Sequence, residues 1–146
     1  MTSESKIRLA ANCLFIYGIG SLLFVDSLGF SISKISSSGF FPFIAIWTPF
    51  VLAAFLFFRF GKPFQKLNSW LYIITIIFVS FRLLRALVAA IGILFVTPGP
   101  TETIQEIQKM KFVTEISYLF FIILLVAILV LLRKNDVQNE FYGRGK

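Results

Sequence analysis

WLYIITIIFVSFRLLRALVAAIGILFV, residues 70–96, is almost entirely apolar, yet two arginines, Arg82 and Arg85, lie near its middle. A transmembrane helix needs about 20 consecutive apolar residues to cross a hydrocarbon core of about 30 Å. This stretch is long enough to cross. The sequence therefore predicts a membrane-spanning helix that carries two positive charges.

The composition extends this prediction to the whole chain. Of its 146 residues, 58% are hydrophobic and only 14% are charged, whereas a soluble domain carries about 25% charged residues. The apolar residues fall in four long blocks separated by short charged segments, and each block is long enough to be a span. We therefore expect a single all-α, multi-pass integral membrane domain over residues 1–146.

The boundaries of the spans follow from capping residues and helix breakers between the blocks. Asn68 can cap the third helix, and TPGP at residues 97–100 ends it. The predicted spans are residues 9–26, 40–60, 70–96 and 112–132. A short helix on the membrane surface is expected at residues 101–110, where Thr103 and Glu106 form a capping box. A cleavable leader is the alternative for the first block, which we expect to be retained as a span.

The distribution of Lys and Arg predicts the orientation of the chain, because cytoplasmic loops are enriched in these residues. With both termini in the cytoplasm, nine of the fourteen lie on the inner side and three on the outer side, and Arg82 and Arg85 lie within a span. We therefore expect an up-down four-helix bundle with both termini cytoplasmic. The net charge of +7 then reflects topology, and nucleic acid is not an expected partner.

Arg82 and Arg85 are three residues apart, so they project from nearly the same face of the third helix. Small residues, which let another helix approach closely, continue along this face. They are Ala86, Ala89, Ala90 and Gly92. A charge at the bilayer centre costs about 3 kcal/mol or more, so we expect both arginines to point into the bundle.

Asp26 and Glu115 are the candidate partners of these arginines. At a rise of about 1.5 Å per residue, Arg82 and Arg85 lie about 20 and 24 Å from the inner boundary, and both carboxylates lie about 26 Å from it. The sequence thus predicts a charge layer between the first, third and fourth helices. Its role stays open: a structural lock, a binding site for an anionic group such as a lipid phosphate or carboxylate, or an arginine that reaches the outer headgroups.

Two other helices carry residues that bear on packing. In the second helix, Pro49 removes a backbone hydrogen bond toward Ala45, which makes it a hinge candidate; the alternative is a bend filled by neighbouring side chains. The first helix has small or weakly polar residues suited to close helix contact. They are Cys13, Tyr17, Gly18, Gly20 and Ser21.

The sequence favours binding over catalysis. It has no nucleophile paired with a base and no phosphate-binding glycine loop, and with one cysteine and no histidine it offers no zinc cluster. We therefore expect no enzyme activity, cofactor or metal site. The expected function is an accessory or assembly subunit of a larger membrane complex, whose partners are lipids and other membrane subunits or further copies of itself. The alternative is an oligomeric small transporter or channel protomer, in which the arginines take an anionic substrate or lipid.

Overall fold

The computed structural model describes residues 1–23, 40–58, 68–95 and 104–142, and within these ranges the chain is all-helical. The helices, numbered in chain order, are α1 (Ser3–Leu23), α2 (Phe40–Phe58), α3 (Asn68–Leu94), α4 (Ile104–Leu132) and α5 (Asn135–Tyr142). Two of them contain segments that are long and apolar enough to cross a membrane, Ser69–Leu94 in α3 and Lys111–Leu132 in α4. Helix α2 contains a shorter apolar segment, Ile46–Phe57.

Helix α1 begins before the predicted span, because the charged residues that precede Leu9 form a capped first turn. The Thr2 hydroxyl accepts a hydrogen bond of 3.2 Å from the Ser5 amide, as an N-cap residue does. Glu4, in the first turn, forms an ion pair of 2.7 Å with Arg8 one turn later. Local hydrogen bonds and charges therefore start the helix without any apolar side chain in its first turn.

The helix predicted at residues 101–110 is present from Ile104 onward, and its position on the membrane surface stays a prediction. Residues 104–110 are the first turns of α4, which continues without interruption to Leu132. No glycine or proline lies between Ile104 and Phe112, so nothing in the sequence interrupts the backbone hydrogen bonds there. The proposed capping residue Thr103 lies outside the described residues. The 29 residues of α4 amount to about 44 Å of helix, which is more than a hydrocarbon core of about 30 Å requires.

Helix α2 continues through Pro49, whose side chain is fully buried. One residue earlier, the Thr48 hydroxyl donates a hydrogen bond of 2.6 Å to the Ile44 carbonyl, which is a common way for a helical hydroxyl to be satisfied. Pro49 is thus packed among its neighbours, and its role as a hinge stays a prediction.

Contacts at one end of the bundle give the relative directions of α1, α3 and α4. Lys6, near the start of α1, forms an ion pair with Asp136 of α5. The Tyr72 hydroxyl, near the start of α3, donates a hydrogen bond of 3.2 Å to the Leu132 carbonyl at the end of α4. The Tyr72 ring also packs against Phe141 of α5, with 5.0 Å between ring centroids. Helices α1 and α3 therefore run parallel to each other and antiparallel to α4, and we call this the α5 end of the bundle.

Helix α5 lies beyond the last predicted span, yet it packs against the bundle. The side chains of Val137 and Phe141, four residues apart, are both buried against the bundle. On its polar side, Glu140 accepts a hydrogen bond of 3.0 Å from the Ser3 hydroxyl of α1. The short helix therefore packs across the starts of α1 and α3.

Helix α1 lies at the centre of the bundle, packed mainly against α2 and α4, while α3 lies at the edge and packs mainly against α4. Two glycines permit this close packing of α1. A Cβ atom at Gly18 would lie 2.8 Å from the Phe50 ring of α2, and one at Gly20 would lie 2.7 Å from the Phe121 ring of α4. Gly92 of α3, predicted to make such a contact, has no described atom within 4 Å of an added Cβ.

Candidate functional site

Arg82 lies on the inward stripe of α3. Residues of this helix spaced three or four apart are buried, which is the pattern of a core-facing helix side. They are Tyr72, Thr75, Val79, Arg82 and Ala86. Only 7% of the Arg82 surface is exposed, so its side chain is directed into the bundle. Arg85, three residues later, is half-buried.

The charge of Arg82 is held among aromatic side chains. Its guanidinium carbon lies 5.4 Å from the centroid of the Phe78 ring, within the range of a cation–π interaction. It also interacts electrostatically with Tyr17 of α1 and with Arg85. Both arginines make further contacts. Arg82 therefore lies in the bundle interior within electrostatic range of Tyr17 of α1.

Arg85 connects the same region to α4. It interacts electrostatically with Tyr118, and Tyr118 in turn interacts with Tyr17. The Tyr17 ring packs edge-on against Phe121 of α4, with 5.5 Å between ring centroids. Two arginines of one helix and two tyrosines of two other helices thus come together in one place.

Ser21 adds a further polar group to this region. It follows Tyr17 by one helical turn on the same face of α1 and is only 5% exposed. Its hydroxyl has no hydrogen-bond partner among the residues that the structure describes. By contrast, Thr75 and Ser117 each donate to the carbonyl four residues earlier, at 2.7 and 2.9 Å. A buried hydroxyl without such a bond is uncommon, since an unsatisfied buried donor is destabilising.

We call Tyr17, Ser21, Arg82, Arg85 and Tyr118 the polar cluster. Measured along each helix from the residues that meet at the α5 end, with a rise of about 1.5 Å per residue, its members lie at two levels. Tyr17 and Arg82 lie about 16 Å from that end, and the other three lie about 21 Å from it. The agreement of these heights with the observed contacts supports the helix directions described above.

The structure places the two predicted carboxylates differently from each other. Asp26 lies outside the described residues. Glu115 is half-buried on α4, about one turn farther from the α5 end than Tyr118. Both ion pairs between described residues lie near the start of α1, so Glu115 is in neither of them. The pairing of these carboxylates with the arginines stays a prediction.

The prediction from sequence paired the arginines with carboxylates and did not include hydroxyls. It assigned Tyr17 and Ser21 to helix packing alone, and it did not consider Tyr118. The signal was present, because all three residues recur at the spacing of the inward face of their helices and at the depth of the arginines. Neutral donors at the depth of the arginines therefore predict these residues.

Arg82, Arg85, Tyr17 and Tyr118 place two cations and two hydroxyls near one another in an apolar bundle, an arrangement suited to fixing helix positions or to holding an anion. Ser21 lies at a similar height along α1. Among residues 1–23, 40–58, 68–95 and 104–142, no group of three His, Cys, Asp or Glu side chains could hold a metal ion. Comparisons of this chain with protein-family models, with curated proteins and with solved structures find no match.

Proposed function

We propose that this protein spans the membrane four times, with both termini in the cytoplasm, and acts as an accessory or assembly subunit of a larger membrane complex. The observation that carries this proposal is the open apolar face of α3. Four large residues of this face are each between 62% and 64% exposed. They are Ile77, Phe81, Leu84 and Val88.

This face needs an apolar environment along the middle of the helix. Single exposed apolar residues are normal on a soluble protein, but a continuous strip of large ones marks contact with lipid or with another helix. Helix α3 lies at the edge of the bundle, so its open face is free to receive a helix of another subunit. In a bilayer, such a contact is stabilised by side-chain packing.

The proposed topology has two supports. The Lys and Arg residues outside the spans divide nine against three when both termini are placed on the inner side, in line with the enrichment of positive charge in cytoplasmic loops. In addition, α1 and α3 run parallel and α4 runs antiparallel to both, as an up-down order requires. Labelling of single cysteines introduced by Ser5→Cys, Lys109→Cys and Lys134→Cys, in a Cys13→Ser background, tests the orientation. We expect only the cysteine at position 109 to react from outside in intact cells.

The accessory role is tested by native mass spectrometry of the full chain after gentle extraction from its own membrane. We expect a stoichiometric assembly with other membrane proteins. Val88→Trp, on the open face of α3, should dissociate it, whereas the control Val130→Trp, on an exposed position of α4, should not. A protein recovered only alone or with copies of itself contradicts the proposal.

A second candidate function, an oligomeric small transporter or channel protomer, is favoured by the polar cluster. A buried arginine, and a buried hydroxyl that has no partner among the described residues, are costly inside a membrane unless they serve a substrate or a structural lock. Four helices leave little room for a pathway within one protomer, so this candidate requires a homo-oligomer. The same mass spectrum separates the two candidates by the composition of the assembly.

A further inference from the structure

Two adjacent cations follow the last turn of α4. Its apolar segment ends at Leu132, and Arg133 and Lys134 come directly after it. Both side chains are exposed, and within the described part of the chain neither forms an ion pair or a side-chain hydrogen bond. By contrast, Lys6 and Arg8, the cations of α1 at the same end, are each paired with a carboxylate. The described residues therefore leave the charges of Arg133 and Lys134 without a neutralising partner.

These cations lie at the level of the lipid headgroups when α4 spans the bilayer, because they directly follow an apolar segment of spanning length. Helix α5 lies at the same level. The Tyr72 ring, three residues after the start of the apolar segment of α3, packs against Phe141 and Tyr142 of α5, with 5.0 and 5.6 Å between ring centroids. Trp70, in the first turn of α3, is 64% exposed, and an exposed Trp is typical of a membrane interface.

Arg133 and Lys134 are also the two residues that join α4 to α5. The Arg133 amide donates a hydrogen bond of 2.9 Å to the Leu129 carbonyl in the last turn of α4. The Lys134 carbonyl accepts a hydrogen bond of 3.0 Å from the Gln138 amide in the first turn of α5. No other residue lies between the two helices, so a ligand bound by both side chains would also restrain the direction in which α5 leaves α4.

The chemistry of the surface matches an anionic lipid. Residues 59–67, which precede α3, and residues 143–146, which follow α5, contain five Lys and Arg and no Asp or Glu. Clusters of Lys and Arg next to a membrane span are attracted to anionic headgroups. The planar guanidinium of an arginine matches the geometry of a phosphate, and a lysine contributes a compact positive charge beside it.

We propose that Arg133 and Lys134 bind the headgroup phosphates of anionic phospholipids in the leaflet at the α5 end, and that this binding holds α5 against the bundle. The inference rests on the membrane placement of α4 proposed above. It depends neither on the orientation of the chain nor on the accessory role.

The test measures amide hydrogen exchange of α5 in the purified full chain, in vesicles of phosphatidylcholine with or without phosphatidylglycerol. We expect phosphatidylglycerol to slow this exchange in the native chain. The double variant Arg133→Gln/Lys134→Gln should lose the slowing but exchange at the native rate in phosphatidylcholine alone, because neither side chain has a bond within the described protein to lose. Retention of phosphatidylglycerol in native mass spectrometry should fall about fivefold for each charge removed.

Three control variants separate a lipid contact at the turn from other effects. Lys109→Gln removes an exposed lysine at the opposite end of α4 and should leave the lipid response of α5 unchanged. Arg133→Lys combined with Lys134→Arg keeps both charges and should keep the response. Lys6→Gln breaks the ion pair with Asp136 and should speed the exchange of α5 even in phosphatidylcholine alone.

Two results would overturn the inference: exchange of native α5 that is indifferent to phosphatidylglycerol, or an equal slowing in the native chain and in Arg133→Gln/Lys134→Gln. Because the purified chain is measured without partners, either result leaves the accessory role to be decided by the composition of the assembly. Conversely, a protein that forms no assembly but shows the expected lipid response contradicts the accessory role and supports the lipid contact.

Discussion

Replacement of single glycines by alanine tests whether α1 packs as closely against its neighbours as the structure has it. In Gly20→Ala, the new Cβ would lie 2.7 Å from the nearest Phe121 ring carbon and 3.2 Å from the next. Phe121 is only 1% exposed, so its ring has no free space to move into. Excess volume in a packed core costs about 1–3 kcal/mol.

Gly92→Ala is the matched control for this change. A Cβ at Gly92 has no described atom within 4 Å, so the substitution tests helix propensity alone, which favours alanine by about 1 kcal/mol. Since the propensity gain is common to both variants, the difference between them isolates the contact with Phe121. We expect Gly20→Ala to have a free energy of unfolding about 1–3 kcal/mol below that of Gly92→Ala.

The measurement is reversible unfolding of each purified variant in mixed micelles of native-like detergent and sodium dodecyl sulfate. Gly18→Ala should fall between the other two, because its nearest contact is the tip of the half-buried Phe50 ring. Phe121→Leu, combined with Gly20→Ala, should restore part of the loss, and this would appear as a coupling energy between the two positions. Equal stability of Gly20→Ala and Gly92→Ala would refute the proposed contact between α1 and α4.

The remaining predictions concern the α5 end. Reversing the charge of either Lys6 or Asp136 alone should lower the protection of α5 from proteolysis, and exchanging the two charges should restore it. Additive losses in the double variant would rule out a direct ion pair. The hydrogen bond from Lys6 holds the pKa of Asp136 below its ordinary value. The stabilising effect of this hydrogen bond is therefore fully present above the ordinary pKa of an aspartate, and it is lost as the pH falls through the lower pKa of the folded state. A pH titration of amide exchange in α5 should follow this course in the native chain and not in Asp136→Asn. Phe141→Ala should release α5 and speed its amide exchange, since truncation of a buried Phe costs about 3–5 kcal/mol; unchanged exchange would mean that the ring does not anchor the helix. Tyr72→Phe removes the hydrogen bond to the Leu132 carbonyl and should lower the free energy of unfolding by about 0.5–1.5 kcal/mol, and a neutral effect would show that water serves the carbonyl equally well.

The sequence predicts the helical elements well where apolar length alone determines them. The start of α2 at Phe40 and the end of α4 at Leu132 agree with the predicted spans. The helices extend beyond the predicted spans where polar residues continue them, at the start of α1 and in the first turns of α4. Helix propensity and local capping determine those turns, and the length of an apolar segment carries no information about either.

Helix α5 could not be predicted from the length of its apolar segment, because only two of its side chains are buried. Val137 and Phe141 are four residues apart, which places them on one face, but so short a helix is not stable by itself. Its stability comes from contacts with residues more than 100 positions earlier, such as Lys6 and Ser3. A pattern within the segment does not contain that information.

The inward direction of Arg82 follows from its place in a stripe of spacing three and four, which is readable from sequence. The partners of the arginines depend instead on which helices are adjacent. Helix α1 lies beside α4 and α3 lies at the edge, and this arrangement brings Tyr17 and Tyr118 to the arginines. Depth along a span does not specify the side of a helix on which a residue lies. Glu115 was predicted as a partner from its depth alone, so the prediction took no account of its side of α4.

The contacts between α5 and α1 also have a consequence for the order in which the protein is assembled during synthesis. Helix α5 follows every other described helix in the chain. The partners of Lys6 and Ser3 are therefore synthesised more than 100 residues later than these two residues. Until the ribosome has produced that segment, the start of α1 and the Tyr72 ring of α3 are uncovered. The α5 end therefore closes only after α1 to α4 have been made, and an insertion factor or a neighbouring subunit has access to it up to that moment.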